Sequence, residues 1–152
     1  MDSMLSLKKS DMRWFEYARR EAEKSTFPRF HVGCVLVYKN HIIGAACNTD
    51  KSDPVQKKYN RYRHFNHTTK TCVNHSGHAE MMALKKVTYP IAQQIDWKEV
   101  KLYVVRIAPG LPGGMGLSKP CPGCEHRIRE LGIRNIYYTG NGSYIHERLI
   151  YD

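Results

Sequence analysis

The sequence predicts an α/β fold: a three-layer sandwich whose mixed central sheet of about five strands is flanked by helices. Three observations predict it. Stretches of helical periodicity alternate with short apolar runs rich in Val, Ile and Tyr. Two of those runs are joined only by Lys39-Asn40-His41, as in an antiparallel hairpin. The later runs are separated by helical stretches, which puts helices over the sheet. At 152 residues the chain falls within the usual size of one domain, so residues 1–152 are read as a single unit.

Taken in order, the first element is an amphipathic helix from Ser10 to Lys24. Ser10 is its candidate cap, and Trp14, Tyr17, Ala18 and Ala22 recur on one face before Pro28 ends the region. Strands follow at Val32–Tyr38 and Ile42–Cys47. Asn48 to Gly77 is polar, basic and aromatic without clear periodicity, and reads as a long loop at about 49–77. A second helix is expected from about His78 to Val87, with Pro90 helping to close it. Val100–Ile107 reads as a strand and Pro109–Pro120 as a Gly/Pro-rich loop, either an interface or a mobile connection. A third helix starts near Cys121, with Cys124, Ile128 and Leu131 on one face. Asn135–Thr139 is another strand. After the Gly140-Asn141-Gly142-Ser143 turn, Tyr144–Ile150 reads as a last strand or a short helix capped by Ser143.

Composition narrows the function class. Hydrophobic residues make up 41% of the chain, which fits a globular domain and excludes a disordered one. No apolar run approaches the roughly 20 residues that span a bilayer. Met1 to Leu7 is too short and too weakly apolar for a signal peptide, so a cytoplasmic location is expected. Five cysteines, an odd number, include a C-x-x-C, and without a secretion signal this favours metal ligation over disulfides. Cys34 and Cys47 lie inside apolar runs and read as core residues. The net charge of +10 favours anionic partners such as nucleotides or polynucleotides, or reflects only a solvated basic surface.

The chemistry is carried by two short motifs. His78-Ala79-Glu80 is followed by Pro120-Cys121-Pro122-Gly123-Cys124, which together make the H-x-E, P-C-x-x-C signature of zinc deaminases. A catalytic zinc takes three protein ligands and keeps a fourth position open, and His78, Cys121 and Cys124 supply three. The two cysteines flank the first turn of a helix, whose dipole favours thiolates. Zinc so held lowers the pKa of a bound water towards neutrality. Glu80 leaves the same turn as His78 and is placed to carry protons from water to a ring nitrogen and a departing amine. The competing reading is a structural zinc with a bystander glutamate. Structural sites usually close with a fourth Cys or His, which counts against it.

With these motifs in the order strand, strand, H-x-E helix, strand, P-C-x-x-C helix, the chain resembles the cytidine and deoxycytidylate deaminase superfamily over nearly its whole length. The resemblance implies a cytidine deaminase-like fold and one catalytic Zn2+. It also implies that Asn48 contacts the substrate sugar, although Asn48 also suits a plain strand-end turn. The backbone of Ala79 and Cys121 would help to hold the base, and assembly into a homo-oligomer is a further implication. The short segment after Tyr138 departs from the nucleic-acid-editing members and many deoxycytidylate deaminases, which continue with further helical structure, and as a final strand it would resemble the free-nucleoside branch more.

In the long loop, residues 57–67 interleave cations with aromatics, which suits a nucleotide phosphate or a single strand. A solvated flap packed by its tyrosines is the alternative. His64, His67, Cys72 and His75 have the spacing of a second, structural zinc site. Three functions follow. The leading one converts cytosine to uracil in a nucleotide of CMP or dCMP type. The second is a deaminase acting on cytosine or adenine in single-stranded DNA or RNA. The third is a non-catalytic, zinc-containing nucleic-acid-binding module, against which an intact Glu80 argues. Steep salt dependence of binding would mark a polynucleotide partner.

Overall fold

The computed structural model describes residues 3–63 and 75–151. It forms one mixed sheet with helices on both faces, as the sequence predicts. The strands are β1 (Ser3–Leu5), β2 (His31–Tyr38), β3 (His41–Cys47), β4 (Lys101–Ile107), β5 (Met115–Gly116), β6 (Asn135–Thr139) and β7 (Tyr144–Arg148). The helices are α1 (Lys9–Glu23), α2 (Pro54–Tyr59), α3 (Ala79–Lys85), α4 (Tyr89–Gln94) and α5 (Pro122–Leu131). The strand order is β1-β7-β6-β4-β2-β3, with β5 beside the end of β4. Among the described strands only β4 and β6 pair in parallel. The segment between those two strands carries α5, as a parallel connection requires a crossover.

Residues of β2, β4 and β6 alternate between two cores. Val35, Val37, Tyr103, Val105 and Tyr137 pack against Trp14, Phe15 and Ala18 of α1. Cys34, Leu36, Leu102, Val104, Ile136 and Tyr138 pack against Ala79, Ala83 and Leu84 of α3 and Ile128 of α5. The outer layers are therefore α1 on one side and α3 with α5 on the other. Gly33 sets how closely α1 approaches: a Cβ there would lie 2.1 Å from the Ala18 carbonyl oxygen. Lys39 and Asn40 both adopt positive φ (48° and 65°), the geometry of a two-residue hairpin turn, so β3 begins at His41.

Several elements differ from the sequence reading. Ser10 lies inside α1, and the carboxylate of Asp11 instead accepts the Lys8 N–H at 2.7 Å. The stretch read as loop contains α2 and a 3-10 turn at Asn60–Tyr62. Asp53 caps α2, accepting from the N–H groups of Val55 (2.9 Å) and Gln56 (3.0 Å), and Pro54 opens the first turn. A helix of six residues is too short to show periodicity. Pro90 does not close α3. It lies in the first turn of α4, where its missing N–H costs nothing. The Pro109–Pro120 stretch folds back to form β5, pairing Gly116 with Arg106 and Met115 with Ile107. The open choice at the C-terminal end is settled as a strand, since β7 runs antiparallel to β6 and also receives β1. No described helix is long and apolar enough to cross a membrane.

Candidate active site

Two helix starts meet beside the sheet. His78 holds the N-cap position of α3 in extended geometry, and Cys121 does the same for α5, with Pro122 in the first turn. The Cys121 sulfur accepts the Cys124 N–H at 3.5 Å, so the C-x-x-C turn orients its own first thiolate. Gly123 between them is required by close approach, because a Cβ there would lie 2.8 Å from the Tyr59 carbonyl oxygen.

His78 Nδ1 lies 3.5 Å from Cys121 Sγ and 3.4 Å from Cys124 Sγ. One ligand atom from each residue falls within 4.8 Å of the other two, a group able to hold a metal ion. Zn–S bonds of about 2.3 Å and Zn–N bonds of about 2.0 Å place tetrahedral ligand atoms about 3.5–3.8 Å apart, so the set fits zinc. The electrostatics agree. The Cys124 hydrogen bond, opposed by burial and helped by His78, lowers the Cys121 thiol to about 4. Donating to that thiolate, together with burial, pushes the Cys124 thiol well up. A cation bound between the two sulfurs would displace a thiol proton. Burial works against charged His78, but Cys121 and Glu80 outweigh it and raise its pKa.

Glu80 is 5% exposed, in the first turn of α3. Burial raises its pKa, with His78 opposing. It faces a cleft of about 300 Å³, whose inner wall also includes His78, Ala79 and Cys121. Phe30 and Leu117 stand at the rim, and three cations, Arg63, Arg106 and Lys119, line the same space. The Arg106 guanidinium lies 5.3 Å from the Phe30 ring centroid. Its Nε is buried and has no hydrogen-bond partner among the described residues. Lys119 is held by the buried carboxylate of Glu147 at 3.4 Å.

The residues singled out from sequence are mostly brought together: His78, Ala79, Glu80, Cys121, Cys124 and Asn48 surround or adjoin this cleft. Asn48 lines it, yet its amide also serves the strand end. Its Oδ1 accepts from Ser25 Oγ (2.5 Å) and from the Val32 N–H (3.0 Å), and its Nδ2 donates to the Phe30 carbonyl (3.1 Å). Of the proposed second zinc set, His64, His67 and Cys72 lie outside the described residues. His75 is described, with Nδ1 2.9 Å from Asn60 Nδ2. Sequence reasoning missed Phe30, Arg106 and Lys119. A charge closing the apolar Leu102–Ile107 run and a lysine directly before Pro120 were the available signals.

Comparison with known proteins follows the same lines. The family model described as the cytidine and deoxycytidylate deaminase zinc-binding region matches residues 8–140. The structure of dCMP deaminase from the cyanophage S-TIM5 in apo form aligns at 20% identity over 88% of this chain and 86% of that one, with a TM-score of 0.55. The same phage enzyme in complex with dCMP and dUMP aligns at 18% identity over 88% and 83%, with a TM-score of 0.54. Cytidine deaminase from Burkholderia pseudomallei aligns at 19% identity over 93% and 91%, with a TM-score of 0.59. At these identities the likeness establishes the fold. No curated protein sequence matches the chain with significance.

Proposed function

The chain belongs to the cytidine and deoxycytidylate deaminase family, and we propose that its substrate is a cytosine nucleotide of CMP or dCMP type. The observation that carries this reading is the cationic wall of Arg63, Arg106 and Lys119 in the cleft that also holds Glu80 and the His78, Cys121, Cys124 trio. Cationic N–H donors on that wall suit an anionic group, and a phosphate oxygen is such an acceptor.

In this reading His78, Cys121 and Cys124 hold the zinc. Bound there, zinc supplies the Lewis acidity that makes a water deprotonable near neutral pH. Glu80 would take one proton from the attacking water and pass it to the ring nitrogen as the oxygen bonds to the carbon bearing the amine. It would then take the second proton from that oxygen and deliver it to the amine, so that the carbonyl forms as the C–N bond breaks and ammonia leaves. The raised Glu80 pKa suits a group that must be both base and acid. Ala79 and Cys121 line the space where the base would lie. Asn48 acts on the substrate through Phe30 and Val32, whose backbone it fixes. Free thiols at both cysteines of the motif suit a reducing, cytoplasmic setting.

A second reading, a single-stranded polynucleotide substrate, is favoured by one observation. Phe30 and Arg106 also line an adjoining cleft of about 460 Å³ with Arg29 and His31, so the groove continues beyond one nucleotide. The test is to incubate zinc-loaded protein, beside a Glu80→Ala control, with nucleosides, nucleotides and short DNA and RNA strands. Mass spectrometry then identifies the component that gains about one mass unit. Conversion of CMP or dCMP, absent in the control, is the expected result. Conversion confined to the strands would overturn the nucleotide reading and establish the second.

A further inference from the structure

Gln56 is the one fully buried amide at the junction of α2 with the two ligand-bearing helices among the described residues. Its Oε1 accepts the backbone N–H of His78 at 3.0 Å. Its Nε2 donates to Asn60 Oδ1 at 2.8 Å, and Asn60 Nδ2 in turn stands 2.9 Å from His75 Nδ1. Around Gln56 the packing is apolar, with Tyr59, Met81 and Cys124 forming a small core.

A carboxamide has one oxygen acceptor and two N–H donors. Here the oxygen goes to the His78 backbone at the start of α3 and the nitrogen to Asn60, just after α2. A carboxamide left buried and unpaired is destabilising, so its place is set by these partners. Helix α2 is itself anchored to the site. The Asp53 carboxylate that caps it pairs with Lys85 of α3 at 2.6 Å, and the Tyr59 carbonyl abuts Gly123 of α5.

We propose that Gln56 is a positioning residue of the metal centre, holding the His78 backbone in the arrangement that receives the ion. The segment before the H-x-E motif thereby contributes to metal binding as well as bordering the cleft. The inference rests on the zinc reading of the trio and is independent of the substrate.

The test measures zinc affinity of Gln56→Leu by competition with a chromophoric chelator, with no turnover involved. Loss of an outer hydrogen-bonding partner typically weakens metal binding about 10- to 100-fold, and that is the expected result. Cobalt substituted for zinc should show a shifted thiolate-to-metal absorption band, while the metal-free variant melts close to the wild type. Unchanged zinc affinity, with metal-free and zinc-loaded forms both melting lower by the same amount, would reduce Gln56 to packing and overturn the proposal. Should Gln56→Leu not fold, Asn60→Ala asks the same question by removing only the outer anchor. A several-fold weaker zinc affinity is expected there, and wild-type affinity counts against the proposal. A wrong substrate assignment would leave every one of these readings intact.

Discussion

The two faces of the central sheet are built from alternate residues of the same strands, yet they bury polar groups to opposite ends. On the α1 face, the Tyr103 hydroxyl donates to Asp11 Oδ1 at 2.6 Å. Phe15 meets the Tyr103 ring edge-on, Tyr103 stacks on Tyr137 at 4.1 Å, and Tyr137 stacks on His146 at 4.0 Å. Asp11 and Tyr103 answer one another, while His146 Nδ1 has no hydrogen-bond partner among the described residues. On the α3 and α5 face, Glu80, His78 and the two cysteines converge on a cleft. The difference lies in helix placement. Helix α1 lays its side across β2 and β4, so its buried Asp11 meets a strand tyrosine. Helices α3 and α5 present their N-termini at one point, so donors, thiolates and dipoles add there. Burial of a charged side chain is thus not itself a sign of function; what matters is whether its partners lie within the fold.

The contrast can be broken or sharpened experimentally. The largest effect should come from Glu80→Gln, which removes the proton carrier and lowers the deamination rate by about 10²–10⁴-fold while zinc content stays at wild-type level. The matching change on the other face, Asp11→Asn, should leave the rate per folded molecule within about twofold. Equal losses from the two would erase the distinction between the faces. Next, Arg106→Ala should raise KM for CMP or dCMP by about tenfold, roughly 1.4 kcal/mol, and leave cytidine kinetics unchanged. A rise for nucleoside and nucleotide alike would move Arg106 from phosphate recognition to shaping the cleft.

Smaller effects belong to the α1 face. Tyr103→Phe leaves a buried Asp11 oxygen without its donor and should cost about 1–3 kcal/mol in denaturant melts, with kcat/KM unaltered below the transition. The smallest expected change is in pH dependence. Burial holds the His146 pKa below the ordinary histidine range. As pH falls through about 6.5, the unfolded chain binds the proton first, so stability drops and then levels off below the folded-state pKa. Thermal melts from pH 8 to 5 should show that decline, and His146→Phe should flatten it.

How far these features could be read from residues alone depended on the range of the forces that fix them. The grouping of His78, Cys121, Cys124 and Glu80 was legible because their spacing is imposed by two short helical turns, and the strands at 32–38 and 135–139 because apolar runs are local. Helix α2 escaped because its stability comes from a cap at Asp53 and contacts to α3 and α5, not from periodicity. Strands β1 and β5 are three and two residues long and exist through pairing with β7 and β4, partners far away in sequence. The last strand was ambiguous for the same reason. Arg106 and Gln56 carry no motif; only the meeting of separate elements gives them neighbours.

One modest feature bears on how such an enzyme can change over generations. Ser52 and Ser76 form an isolated bridge, and around it Thr49 N–H donates to Gly77 carbonyl at 3.0 Å and Asp53 N–H to His75 carbonyl at 3.0 Å. The chain thus leaves and re-enters the framework through a clasped neck. Changes of sequence within the enclosed segment are therefore separated from the metal centre, provided that Gln56 keeps its place. Selection can revise what the enzyme grips while the reaction it performs is inherited unaltered.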